Sequence, residues 1–470
     1  MDLLEHSARQ LLSMLQSKKV SAVEVMQATL KRISEVNSVV NAIVSLRDDD
    51  DLLSEATAAD AAVDRGALHG LPIAIKDLYD AKGLATTLGS PLFTSDVATA
   101  DGLVTSRLRA AGALIIGKTN SPEFGLGSHT VNRVFGATRN PYDLARSSGG
   151  SSGGAAVALS TRMLALADGS DMMGSLRNPA AYNNVYGLRP SWGLVPAEPS
   201  GDSFLHQCTT QGPMARSPAD IAVLLEVQAG ADWQNPHGRG ETTFMPNPAS
   251  DLAGKRFGWL GDWGGAYPME PGILDICSVA LQTFTEIGAQ VEGLPPPYDA
   301  SLLWDSWTKL RSWSLAGDDL QLYKDLETRQ HLNAPMIWEL EHAQMLTALQ
   351  VHDASVIRSD WFRCAAAIFA DYDALLLPSA QVWPFPIKWK YPHQINAVKM
   401  DTYHRWMEVV VPASLIGIPA LNIPVGLGER GLPMGLQVLG PRGADKALLD
   451  IGQAWHNATG YPNRPPPAIW

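Results

Sequence analysis

Serine is the residue type through which this sequence could do covalent chemistry. The stretch "ARSSGGSSGGAAVALS", Ala145 to Ser160, contains Gly149-Gly150-Ser151-Ser152-Gly153, a literal match to the G-x-S-x-G turn that exposes a nucleophilic serine. That turn needs a strand immediately before it, and "RNPYDLARSS" is turn-rich instead. No Ser, Asp/Glu, His order stands out among the eleven histidines, and His129, His206, His393 and His404 read as surface or packed residues. A phosphate loop of the G-x-x-x-x-G-K-[ST] kind is absent, since no lysine follows the glycines. A flexible linker fits the composition, but the stretch runs straight into "AAVALSTRMLALA" and so reads as the cap of a small-residue helix. Twenty-four positions after Ser151, a second serine, Ser175, lies in "LADGSDMMGSLRNPAAYNNVYGLRPS", behind a short, flexible stretch and ahead of Arg177 and Pro179.

Positioning such groups requires buried elements. "GLPIAIKD" is a short apolar run behind Gly70 and Pro72, the pattern of a buried strand with Lys76 at its end. "LVTSRLRAAGALIIGKTN" reads as helix, glycine stop and strand, one unit of alternating α and β structure that implies a parallel or mixed sheet. Further strand signals are "RFGWLGD", "AQVEGL", "ALLLPS", "ALNIPVG" and "GLQVLG", with helical patterns between them such as "ILDICSVALQTFTEIG" and "KALLDIGQAWHNATG". The N-terminal segment, about 1–65, predicts a pair of amphipathic helices with Ser7 as the first N-cap, then an acidic helix from about Asp50 to Arg65. No fixed period of 20 to 50 residues appears, and no Pro/Gly-rich stretch is long enough to be a domain linker.

Lys76, "GGSSGG" and "DMMGSLRNPA" together resemble the amidase signature family of Ser-Ser-Lys amide hydrolases. "GKTNSPEF", "GATRNP", "GLRPS", "GPMARS" and "GIPALNIPVG...GLPMGLQVLG" follow in the family's order, so the resemblance covers nearly the whole chain. It implies an α/β fold in a single large domain over 1–470, with a central mixed, twisted β-sheet flanked by helices and a variable, substrate-lining region at about 232–400. It also implies that Ser175 is the nucleophile, Ser151 the bridging serine on a cis peptide bond and Lys76 the base. Backbone N–H groups of Met172, Met173, Gly174 and Ser175 would form the oxyanion hole, and Gly125 and Leu126, with Ser151, would line the substrate. No metal or cofactor enters the scheme.

The chemistry agrees with those roles. A serine hydroxyl must lose its proton as it attacks, and lysine accepts a proton only when neutral, which burial in "LPIAI" favours. A hydroxyl is both donor and acceptor, so Ser151 can pass a proton either way. Asp171 and Arg177 read as organisers of the loop. The sequence departs from the family's usual Gly-Gly before the nucleophile, having Met173-Gly174. A methionine tolerates positive φ poorly, so this position either keeps an ordinary backbone or turns its side chain into the pocket as a flexible wall; the expectation is the second. Aromatic residues in the variable region (Trp304, Trp307, Trp313, Trp383, Phe385, Trp389, Tyr391) either form a funnel for an apolar substrate or pack in the core.

Composition bounds the function. The 470 residues are 46% hydrophobic and 18% charged with a formal net charge of -12, which disfavours a broad nucleic-acid surface. Cys208, Cys277 and Cys364 are too far apart for a C-x-x-C pair and read as buried thiols. No apolar run has the length of a membrane span or signal peptide, so the expectation is a cytoplasmic enzyme acting on a small-molecule amide, with a homodimer left open. The leading function is hydrolysis of a small-molecule carboxamide through an acyl-enzyme. The alternatives are a glutamine-hydrolysing chain like the A subunit of the glutamyl-tRNA amidotransferase, or a noncatalytic binding protein that kept the fold.

Overall fold

Proline at its head and three apolar positions, Ile73, Ala74 and Ile75, commit Pro72–Lys76 to a fully buried strand. It pairs in parallel with Leu114–Thr119, so that Lys76 lies opposite Thr119, and Ile43–Val44 completes a three-stranded sheet. The helix Leu103–Ala110 makes the crossover between the parallel strands. Gly112 ends that unit with φ +90°, where a Cβ would meet the His69 Cα at 2.9 Å, so the predicted glycine stop has a steric reason. The computed structural model describes residues 3–467 and 469.

A second, eight-stranded mixed sheet runs in the order Gln290–Gly293, Arg256–Trp259, Ala374–Pro378, Pro433–Leu439, Ala420–Leu427, Tyr186–Arg189, Thr210–Ala215, Leu166–Asp171. Its first three strands are mutually parallel, and the others pair antiparallel. The expected central mixed sheet is therefore present, and the lysine strand belongs to a smaller sheet beside it. The two meet where Pro72–Lys76 lies against Leu166–Asp171. There the Lys76 backbone N–H donates to Asp168 Oδ1 at 3.0 Å, so a side chain replaces a ladder bond across the join.

The run "LADGSD", read from sequence as part of a flexible stretch, is instead a fully buried edge strand of the large sheet. Its Asp, Gly and Ser letters have weak strand propensity, and burial between neighbouring elements overrides it. The Gly/Ser stretch does lead into a small-residue helix, Gly153–Ser160, buried at every position. A Cβ at Gly154 would lie 2.4 Å from the Asn120 backbone N, so the helix can approach the lysine sheet only because it opens on glycines.

At the N-terminus, Ser7 and Ser21 cap the helices Ala8–Gln16 and Ala22–Val40 with reciprocal capping boxes, and Asp49–Ala61 follows. The main core is aromatic-rich: Trp263, Trp307, Trp361, Trp406 and Trp455 are fully buried. Cys208 and Cys277 are buried, but Cys364 is only half-buried on the helix Ala348–Ile368, at odds with three buried thiols. Among the described residues, no helix is long and apolar enough to cross a membrane.

Candidate active site

The join between the sheets concentrates hydroxyls around one amine. Lys76 is fully buried, and its Nζ lies 2.7 Å from Ser151 Oγ, 2.9 Å from Ser152 Oγ and 3.0 Å from Ser170 Oγ. Burial lowers its pKa to about 7, against an opposing pull from Asp168 and Asp171. A charged lysine would donate to all three hydroxyls, whereas a neutral one has two N–H groups and a lone pair, so one hydroxyl must donate to it. Ser152 and Ser170 are additions that the sequence reading missed. Ser170 had a signal, since it shares a strand face with Asp168 two residues earlier, and both meet Lys76.

Ser151 follows a cis peptide bond, Gly150–Ser151. The loop that carries it is held from behind: Thr130 Oγ1 donates to the Gly149 carbonyl at 2.8 Å, and the Gly150 N–H donates to Ser128 Oγ at 3.1 Å. His129 braces the same loop. Its Nε2 lies 3.0 Å from the Ile387 carbonyl, which can only accept, so Nε2 carries the proton and Nδ1 accepts from Ser147 Oγ at 2.8 Å. Ser147 Oγ in turn accepts from Gly149 N–H at 3.1 Å. Burial holds the imidazole down to about 4, in keeping with a packed residue. His404 is likewise buried, and His393 is exposed.

Ser175 lies four residues beyond the end of the buried strand, 8% exposed, and its carbonyl accepts from Ser152 N–H at 3.2 Å. Its backbone thus lies against the Ser151–Ser152 pair, although no hydrogen bond of its hydroxyl occurs among the described residues. Asp171 organises the loop in between. Its carboxylate accepts from Gly174 N–H at 2.9 Å and Leu176 N–H at 3.2 Å, and from Arg177 Nε and Nη2 at 3.0 Å each. Arg189 Nη1 adds a further bond at 3.2 Å. All three charged groups are fully buried, and despite the opposing effect of burial the two guanidinium groups hold the carboxyl well below the usual carboxylate range. Such a cluster is costly to break, because removing one partner leaves uncompensated charge.

This geometry revises two expectations for the loop. The left-handed backbone falls on Gly174, φ +79°, while Met173 is not among the positive-φ residues and is buried in the main core. Met173 therefore has an ordinary backbone and is not a pocket wall; Met172 is the half-exposed methionine. The Gly174 N–H is committed to Asp171, which leaves those of Met172, Met173 and Ser175 as candidate oxyanion donors.

Gly125 lies beside Ser151: a Cβ there would be 3.8 Å from Ser151 Oγ and 2.8 Å from Leu78 Cδ1, and its φ is +68°. Leu126 lines a cavity of about 640 Å³, together with Ser128, His129, Trp338, Tyr391, Tyr403 and Trp406. Of the aromatics singled out in the sequence, only Tyr391 is on this wall. Trp304, Trp307, Trp383 and Phe385 are buried in the core, Trp313 stacks edge-on to His206 at 4.4 Å, and Trp389 is exposed. Packing explains all of these but Trp389. Trp338, Tyr403 and Trp406 make the aromatic wall instead, in "MIWEL" and "YHRW", where helical spacing looks like ordinary core.

Comparison with known proteins agrees with the fold. The family model described as Amidase matches residues 24–449. An acylamidase of Rhodococcus erythropolis is 32% identical over 453 residues, covering 94% of this chain and 93% of that protein. The A subunit of the glutamyl-tRNA(Gln) amidotransferase of Methylobacillus flagellatus is 30% identical, covering 99% of this chain and 100% of its own. The crystal structure of a bacterial aryl acylamidase of the amidase signature family superposes with a TM-score of 0.91 at 28% identity, covering 97% of this chain and 96% of the other. A buried lysine among serines, in an α/β framework that matches these proteins over nearly its full length, places the chain within the amidase signature family.

Proposed function

We propose that the protein is a stand-alone hydrolase of small-molecule carboxamides that works through an acyl-enzyme, with Ser175 as nucleophile, Ser151 as proton bridge and Lys76 as base. The observation that carries this reading is the 2.7 Å contact between a fully buried, depressed-pKa Lys76 and Ser151, with the Ser175 backbone packed against the next residue. In the first half-reaction, the Ser175 hydroxyl passes its proton to Ser151 as Oγ bonds to the carbonyl carbon, and Ser151 passes its own to Lys76. The carbonyl π electrons move onto oxygen, where N–H groups from Met172, Met173 and Ser175 stabilise the charge; such a donor is typically worth about 3 to 4 kcal/mol. The C–N bond then breaks, and the proton returns through Ser151 to the leaving nitrogen. Water repeats the sequence in the second half-reaction, releasing the acid and restoring Ser175.

Ser152 and Ser170 hold the amine in place, and Gly125 leaves room for the acyl group beside Ser151. Leu126 and the aromatic cavity then receive its side chain, which favours an apolar or aryl amide, in keeping with the aryl acylamidase likeness. The region of about 232–400 supplies Trp338 and Tyr391 to that wall, as a substrate-lining segment would. A second reading, a glutamine-hydrolysing chain of an amidotransferase, rests on the 30% identity to such a protein. The apolar cavity favours the first.

The test is labelling with a serine-directed fluorophosphonate followed by peptide mapping. Modification of Ser175, lost in Lys76→Ala, is the expected result; label elsewhere, or none, would overturn the assignment.

A further inference from the structure

Two helices far from the lysine in sequence build a buried polar cluster behind the aromatic cavity. Arg311, on Ala300–Lys324, donates through Nε to Glu339 Oε1 at 2.7 Å and through Nη2 to the Tyr403 hydroxyl at 2.8 Å. Glu339, on Ala334–Gln344, also accepts from the Tyr403 hydroxyl at 2.7 Å and from Ser312 Oγ. Ser312 Oγ lies 3.0 Å from His342 Nδ1. Arg311, Ser312, Glu339 and Tyr403 are all buried, so the ion pair is desolvated and held by hydrogen bonds on both partners.

The cluster touches two places of functional importance. On one side, the ring of Tyr403 lines the cavity, as does Trp338, the residue before Glu339. On the other, Arg311 Nη1 points at Met172 Sδ, 3.0 Å away. Met172 follows the buried strand directly and begins the loop that carries Ser175 and the candidate oxyanion donors. A thioether is a weak acceptor, so a buried guanidinium spent on it adds little as a hydrogen bond. What it does supply is a fixed stop for a flexible side chain.

We propose that Arg311 and Glu339 are positioning residues that couple the wall of the aromatic cavity to the Met172–Ser175 loop, so that filling the cavity improves the geometry of attack. The inference rests on the assignment of Ser175 as nucleophile. Binding energy from a remote ring would then appear in the chemical step as well as in affinity. Removing both charges together, in Arg311→Met/Glu339→Gln, avoids leaving one ion buried alone, and the milder variants Met172→Leu and Tyr403→Phe cut the coupling at either end.

The experiment compares inactivation by two fluorophosphonates, one with a methyl and one with a phenylalkyl substituent, and reads kinact and KI separately beside the thermal midpoint. In the wild type, the phenylalkyl probe is expected to show the larger kinact as well as the lower KI. The double variant is expected to lose that kinact advantage and to react about tenfold more slowly, with Met172→Leu and Tyr403→Phe intermediate. An unchanged kinact ratio in a folded double variant, or in both single variants should the double variant not fold, overturns the coupling while leaving Ser175 assigned. Absence of Ser175 label in the wild type overturns both readings.

Discussion

At the scale of single residues, Lys76 decides the pH behaviour. Its folded pKa is about 7, while an unfolded lysine titrates near 10.5. Between those values the unfolded chain binds one more proton than the folded one, so this group makes stability rise with pH across that window. Below it both states are protonated, and the folded protein carries the full cost of a buried ammonium. The acylation rate of the wild type is therefore expected to rise with pH through about 7, followed by pre-steady-state release of a chromogenic amine. Lys76→Met is expected to lower turnover at least a hundredfold, and urea denaturation is expected to show it gaining more stability over the wild type at pH 6 than at pH 9. The residues proposed for this relay stand out in sequence because Lys76, Ser151 and Ser175 each sit in a distinctive local string. Ser152 and Ser170 were not, since hydroxyls in a Gly/Ser-rich segment look interchangeable until a fold chooses which of them face the amine.

At the scale of elements, the loop from Asp171 to Arg177 is the piece whose shape matters most. Gly174 has φ +79°, and a Cβ there would come within 2.8 Å of Val410 Cγ2. Gly174→Ala is thus expected to displace the N–H groups on either side of it, lowering kcat by more than tenfold with a smaller change in KM, and to cost about 1 kcal/mol or more in denaturant titration. The strands with apolar runs, such as Leu114–Thr119 and Ala374–Pro378, were legible from hydropathy. Leu166–Asp171 was not, because a strand made of Asp, Gly and Ser holds its place through Lys76, Ser152 and Arg189, which lie well outside it in sequence, as well as through the nearby Arg177. The methionine before Gly174 shows the same limit: sequence flagged an odd residue, but only the backbone told which neighbour bears the left-handed turn.

At the scale of the whole molecule, the segment between about 232 and 400 contributes the helix Ala334–Gln344 and Tyr391 to the cavity, and its aromatic letters were misleading as a guide to the wall. A buried Trp and a pocket Trp have the same helical spacing, so sequence could not separate Trp307 from Trp338. A stand-alone enzyme should need no partner chain. The purified protein alone is expected to hydrolyse an anilide faster than glutamine by at least tenfold, measured by amine release; a preference for glutamine that appears only with a copurifying partner would favour the amidotransferase reading. The join of the two sheets has its own consequence for how such a catalyst comes into being. The Lys76–Asp168 bond spans 92 positions of chain, and such long-range contacts are made late because their loop-closure entropy must be met first. The amine belongs to one sheet and the strand leading to Ser175 to the other, so under the proposed mechanism a half-folded chain has a hydroxyl without a base. The docking of the sheets is the safety catch of this hydrolase, and the nascent chain is armed only when it closes.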